Sequence, residues 1–426
     1  MTVLVTGGIS KVSNQLAENL VEQGRNVVFL HDGSTQSIPS DLLKNSSFTL
    51  VNVSSVNEDV IKSLIETKNI KTVFDGSLTT SDVYLGPLQG ARKLLLGITS
   101  VLDAIRKSIS PPSLILISGE DVYGNSENRV ETEPLQPINF VGSAQMSVEA
   151  MVHSYAVSYR IPTVIGRFPR VVVASKSELN SELKSFEQSD FVNILEISDA
   201  VQGILAIEKL AKSEKPAEVF NISNSKEFLV SNISESRNSK LSNSKIISET
   251  NWNPSDLSSL PAESQKKMEV IKPVFLVFGG DSELKTQFYE VAKADGVIVK
   301  ESSIKNLQEA SDKSVIDEIN SIKPSHLVYF GNETDSFEGD CFTLRTNMAT
   351  NLYFPWLLAS LSERFLLHFT HFGNTEISQE TSSLAVKGFT GKMLKYFENT
   401  LNLGPKIDEN TLKLMKDRKT DGTNNN

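Results

Sequence analysis

The sequence predicts an α/β protein built from two tandem, doubly wound parallel sheets. Two observations carry this. From the first residue, short β-branched runs alternate with longer amphipathic segments, and strand followed by helix at that spacing implies βαβ units with right-handed crossovers. After the polar stretch SDLSSLPAESQKKMEV the same grammar restarts, an internal duplication that suits a chain of 426 residues, too long for one compact core.

In chain order, TVLVTG reads as a strand, SNQLAENLVEQG as a helix, NVVFLHD as a strand, DVIKSLIETKN as a helix and KTVFDG as a strand. LLLGITSVLDAIRKS, SLILISG, MSVEAMVHSYAVSYR and PTVIGRF continue the rhythm, which then gives way to irregular sequence up to about Pro254. The Ser-, Lys- and Glu-rich stretch reads as a linker. Beyond it KPVFLVFGG, LKTQFYEVAKADG, VIVK, SVIDEINSIKP, SHLVYFG, RTNMATNLYFPWLLASLS and FLLHFTHFG alternate strand and helix again. Both halves are therefore expected to be Rossmann-like. The expected division is a first domain over 1–255 with a reduced C-terminal substrate lobe, a linker over 256–272, a truncated second domain over 273–404, and a disordered polar tail over 405–426.

The composition, 39% hydrophobic and 22% charged, is that of an ordinary globular protein. A formal charge of -10 argues against a nucleic-acid partner, which needs a basic surface. One cysteine, Cys341, leaves no internal disulfide and fits a reducing, cytoplasmic compartment. MTVLVTGG carries no basic n-region and no long apolar run follows, so neither an export signal nor a membrane span is expected. The sequons at Asn221 and Asn232 read as coincidences of a chain rich in Ser and Asn.

In this fold the first strand-to-helix turn carries glycines so that the backbone can approach a pyrophosphate. TGGISKVS keeps Gly7, with Gly8 beside it, but Ser10 and Ser13 take the other two glycine places of a G-x-x-G-x-x-G spacing. A serine Cβ stands where backbone and phosphate should meet, which weakens such binding more than it abolishes it. Asp32 could offer a carboxylate to an adenosine ribose, which favours NAD over NADP, although Asp32-Gly33 serves equally as a turn. Gly7, Gly8, Ser10, Ser13 and Asp32 are thus the candidate cofactor-binding residues. In the second turn, FGGDSELKTQ, Gly279 survives while Ser282 and Lys285 replace the other glycines and Asp281 adds a carboxylate, so no dinucleotide is expected there.

Several stretches, in order, resemble one family. TGGISKVSNQLAENL resembles the opening of extended short-chain dehydrogenases/reductases (the NAD-dependent epimerase/dehydratase family), and ISGEDVYGNSE resembles their S-S/T-x-x-V-Y-G strand end. PINFVGSAQMSVE resembles their P-x-N-x-Y-G-x-S-K-x-x-x-E segment, and ILEISDAVQGILAIEK with EVFNIS resembles the later helix and strand. LSNSKIISETNWNP is similar to an element of nucleoside-diphosphate-glucose 4,6-dehydratases. INSIKPSHLVYFGNETDSFEGDCFTLRTNMATNL is similar to 4-keto-6-deoxysugar reductases, and the order matches the fusion found in rhamnose synthases.

The resemblance implies oxidation of a sugar hydroxyl by hydride transfer to NAD. A tyrosinate takes the proton, a lysine four residues on lowers that tyrosine's pKa and holds the ribose, a Ser or Thr positions the hydroxyl, and an Asp-Glu pair removes water. Carried onto this sequence, the tyrosine is Val141, the lysine Gln145 and the Ser/Thr Gly119; only Glu120 and Asp121 remain, as an acid pair in swapped order, with Tyr123 and Phe140 the nearest aromatics. In the second half the lysine falls on Lys392, the tyrosine on Gly388 and the Ser/Thr on His371, and the last strand and sugar-binding lobe are expected to be missing.

Two readings stay open at this level. One is a catalytically impaired pseudoenzyme of deoxyhexose-pathway ancestry acting as a binding or regulatory subunit; the regulatory subunit of methionine adenosyltransferase similarly resembles these reductases without acting as one. The other is an active but divergent NAD-dependent nucleotide-sugar dehydratase or epimerase using Glu120, Asp121 and a recruited Tyr123. NAD is expected at most in the N-terminal domain, weakly held or lost. Expected partners are a nucleotide or nucleotide sugar, and a second copy or an intact pathway enzyme. The helices TSVLDAIRKS and VEAMVHSYAV would pair in a dimer, unless Val148, Met151, Val152 and Tyr155 face their own sheet.

Overall fold

The computed structural model describes residues 1–8, 10–31, 37–53, 57–77, 87–257, 260–263, 266–280, 282–331, 341–373, 389–397, 400–403, 407 and 409–416, with the side chains of 87–89, 93 and 341–344 excepted. The chain forms two compact units, Met1–Leu30 with Ile38–Leu50 and Ser55–Glu269, and Val270–Asn426 with His31–Ser37 and Val51–Ser54.

The N-terminal unit opens with β1 (Thr2–Thr6), α1 (Lys11–Glu22), β2 (Asn26–His31), β3 (Ser37–Pro39), α2 (Ser40–Lys44), β4 (Phe48–Asn52), α3 (Glu58–Thr67) and β5 (Ile70–Asp75). α4 (Pro87–Arg106), β6 (Ser113–Gly119), α5 (Phe140–Tyr159) and β7 (Thr163–Phe168) follow. Then come β8 (Val171–Val173), α6 (Lys176–Glu182), β9 (Phe191–Glu196), α7 (Ile197–Glu208), β10 (Glu218–Asn221), β11 (Lys226–Leu229), β12 (Asn232–Asn238), α8 (Ser244–Glu249) and β13 (Met268–Val270).

Seven strands make one sheet in the order β10-β7-β6-β5-β1-β2-β4. Counting only its own strands along the chain, that order is three, two, one, four, five, six, seven, the doubly wound arrangement in which ligands lie outside the carboxyl ends where the order reverses. Buried on both faces, its strands are near-continuous apolar runs: Val3, Leu4, Leu114, Ile115, Leu116 and Val164 are fully inaccessible. α5 starts at Asn139, whose Oδ1 accepts from the Gly142 N–H at 2.8 Å. Val148 and Val152 on that helix are fully buried, so this part of its apolar face packs within the unit.

The stretch after β7 that looked irregular holds a second sheet, in the order β12-β11-β9-β8. β8 and β11 are only 3 and 4 residues long, and every residue of β12 is exposed, so NISESRN offers no alternation of apolar and polar residues to read. Part of the expected linker belongs to this lobe. Leu260 is 4% exposed in a cluster with Val171, Val173, Leu179 and Ile194, and the Pro261 carbonyl accepts from the Lys176 N–H at 2.9 Å.

The C-terminal unit runs β14 (Val274–Gly279), α9 (Glu283–Ala294), β15 (Ile298–Glu301), α10 (Asp312–Ile322), β16 (His326–Phe330), α11 (Cys341–Met348), a π turn (Ala349–Tyr353), α12 (Phe354–Phe365), β17 (His368–Phe372), β18 (Thr400–Leu403) and α13 (Glu409–Lys416). Its sheet is parallel in the order β15-β14-β16-β17-β18. Counted along the chain this is two, one, three, four, five, the shorter doubly wound order. Two expectations change here. A strand, β18, does follow the last expected helix; TLNL offers only two apolar residues to signal it. Part of the expected disordered tail is α13, because Leu412 and Met415, three apart, are buried against Phe288 and Ala292. Residues 417–426 lie outside the described residues.

One buried ion pair ties the large sheet together. Arg167, on β7 and 3% exposed, reaches Glu149 of α5 with Nη2 to Oε2 at 2.6 Å and Nε to Oε1 at 3.1 Å. Removing one partner strands the other's charge, which costs about 3–5 kcal/mol, whereas replacing both with apolar groups costs less. Arg167→Ala is therefore expected to lower unfolding stability by about 3–5 kcal/mol in urea titration, and Glu149→Leu/Arg167→Met by clearly less. Equal losses would show that the side chains matter only as filler.

Candidate functional site

The turn after β1 keeps the left-handed backbone that only glycine takes freely: Gly7 has φ +94° and Gly8 φ +92°. A Cβ on Gly7 would fall 2.0 Å from the Ser77 nitrogen, in the turn after β5. Ser10 and Ser13 do more than crowd this turn. They form a reciprocal cap on α1, the Ser13 N–H donating to Ser10 Oγ at 3.1 Å and the Ser10 N–H to Ser13 Oγ at 2.7 Å, while Ser13 Oγ donates to the Gly8 carbonyl at 3.1 Å. Two amides at the helix N-terminus are thus already satisfied by side chains. Asp32 lies outside the described residues. A carboxyl that sequence reading passed over, Asp75 at the end of β5, is 1% exposed and accepts from the Ser77 hydroxyl and N–H; burial pushes it above its usual range.

At the carboxyl end of β6, Gly119, Glu120, Asp121 and Tyr123 meet the start of α5. Gln145 is 5% exposed and its carboxamide lies over Gly119, so that a Cβ there would be 2.5 Å from Gln145 Nε2. Gln145 Oε1 is buried without a hydrogen-bond partner among the described residues. Val141, half-buried on the first turn of α5, brings no proton-transferring group. Tyr123 is fully buried, its hydroxyl donating to Asn221 Oδ1 at 2.9 Å and accepting from Arg167 Nη1 at 2.7 Å, and burial pushes its phenol up. This phenol is therefore held inside the unit by two side-chain partners. Asn221, whose sequon looked coincidental, is 0% exposed and is no acceptor for a glycan.

The acid pair is paired with cations that sequence reading missed. Glu120 Oε2 accepts from Arg129 Nη1 at 2.6 Å and Oε1 from the Arg170 N–H at 3.0 Å; burial pushes its carboxyl up, with Arg129 opposing. Asp121 Oδ1 accepts from Arg170 Nε at 2.8 Å, from Arg170 Nη2 and from Asn139 Nδ2 at 3.0 Å. A carboxylate pair at a strand end was the available signal, since buried carboxylates need cations, but their position along the chain could not be read from it. Both acids line a cleft of about 290 Å³ between the two sheets, with Arg237 and Glu227 on its far wall.

In the C-terminal unit the ammonium of Lys285, 4% exposed, donates to the Gly279 carbonyl at 3.3 Å and to Glu301 Oε1 at 3.0 Å, filling the turn that would meet a phosphate. His371 is 3% exposed, bonded through Nδ1 to Asn402 Oδ1 at 2.6 Å and stacked on Tyr329 with centroids 5.8 Å apart; burial pushes it down to about 4. At neutral pH this imidazole is uncharged and donates no proton as an acid would. Lys392 is exposed, and Asp281 and Gly388 lie outside the described residues. Among the described residues there is no cluster of three or more His, Cys, Asp or Glu that could hold a metal, and no helix long and apolar enough to cross a membrane.

The carboxamide of Gln145 and the missing side chain of Gly119 occupy one volume, which makes the two positions energetically coupled. Gly119→Ser is expected to cost about 1 kcal/mol in the native chain and less than about 0.3 kcal/mol in a Gln145→Ala background, read from urea midpoints. Identical costs in both backgrounds would disprove the coupling.

Residues 3–186 match the NAD dependent epimerase/dehydratase family. Human dTDP-D-glucose 4,6-dehydratase is 26% identical over 244 residues, covering 52% of this chain and 68% of that protein. A probable UDP-glucuronate 4-epimerase of Rhizobium meliloti (strain 1021) is 25% identical over 181 residues, 39% of this chain and 52% of the relative. The solved UDP-glucuronic acid 4-epimerase from Bacillus cereus in complex with NAD shares the fold over 60% of this chain and 92% of its own, at 19% identity and a TM-score of 0.51. Residues 3–186, within the N-terminal unit, are thus similar to the NAD dependent epimerase/dehydratase family.

Proposed function

We propose that the chain is a binding or regulatory subunit that keeps a nucleotide-sugar dehydratase-like fold without its oxidation chemistry. The observation that carries this is the Gln145 carboxamide lying over Gly119, beside Val141. Oxidising a hydroxyl requires a group to take its proton as hydride leaves. Val141 takes none, an amide neither accepts a proton at neutral pH nor lowers a neighbour's pKa, and the Tyr123 phenol is committed to Asn221 and Arg167.

The residues fit NAD poorly. The Gly7-Gly8 backbone suits a pyrophosphate, but the serine cap uses two of the amides such a group would need, and no ammonium stands at position 145. The C-terminal unit, with Lys285 folded into its turn, offers no room for a dinucleotide phosphate. The ligand of this subunit is a nucleotide sugar or part of one, and its protein partner a second copy or an intact enzyme of the same pathway, in the cytoplasm.

The alternative is an active, divergent NAD-dependent nucleotide-sugar 4,6-dehydratase or epimerase with Glu120 and Asp121 as acid and base. The upward push on Glu120 favours it, because a carboxyl that holds its proton can act as an acid. The contacts to Arg129 and Arg170 count against it, since each carboxylate is already engaged. A thermal-shift titration of the full chain separates the readings, because a ligand that binds only the folded state must raise Tm. Millimolar NAD is expected to leave Tm unchanged. A cofactor-dependent rise, together with NADH formation that Glu120→Gln removes, would establish the alternative.

A further inference from the structure

We draw no further inference here: the strongest candidate, the groove beside α7 of the N-terminal unit lined by Gln202, Leu205, Ala206 and Trp252, is an open surface depression, and nothing in the structure shows what covers it.

Discussion

The N-terminal site depends on Arg167. Its guanidinium, 3% exposed, joins β7 to Glu149 of α5 and to the Tyr123 hydroxyl in the turn after β6, while Ser118 Oγ donates to Glu149 at 2.6 Å and Asn221 of β10 accepts from Tyr123. Three adjacent strands and a helix thus share one satisfied polar network inside a low-dielectric core, where a half-satisfied one would be costly. Holding α5 in this way brings Gly142 against the Asp121 backbone, where a Cβ would be 2.3 Å from the carbonyl oxygen, and sets Gln145 over Gly119. The same network that positions the helix also engages the Tyr123 phenol. On the proposed reading, structural order and loss of chemistry have a common cause at this end of the sheet.

Around that fixed point the acid pair has become part of the wall. Glu120 and Asp121 hold Arg129 and Arg170, from segments 9 and 49 residues away in the chain, and so link the large sheet to the smaller one. In the C-terminal unit Lys285 and His371 make a similar change: the ammonium satisfies a backbone carbonyl and Glu301, and the imidazole packs on Tyr329. Each of these side chains has an internal partner.

What could be read in the sequence follows from the range of the forces involved. The parallel strands were legible because burial on both faces demands continuous apolar runs such as SLILIS and TVLV. The start of α5 was legible as a family segment, and its Asn139 cap is a local interaction. β12 was not, because all its residues are exposed, and β18 and α13 were too short for a periodic pattern. Val141, Gln145 and Gly119 could be placed one by one, but that Gln145 fills the space over Gly119 depends on the packing of α5 against β6. Arg129 and Arg170 escaped for the same reason: ion pairs between distant segments leave no local spacing. The serines of the first turn were expected to obstruct a phosphate, and they also cap α1 with each other, a role that needs the backbone geometry to be seen.

The central proposal is that, with Val141 and Gln145 at the start of α5 and Tyr123 engaged by Asn221 and Arg167, the chain does not oxidise a sugar hydroxyl. Mass spectrometry of dTDP-glucose incubated with the full chain and NAD in deuterated water reports both loss of water and exchange of ring hydrogen. The account predicts a spectrum identical to that of the protein-free control. Dehydrated product, or deuterium in the ring above that control, would contradict it.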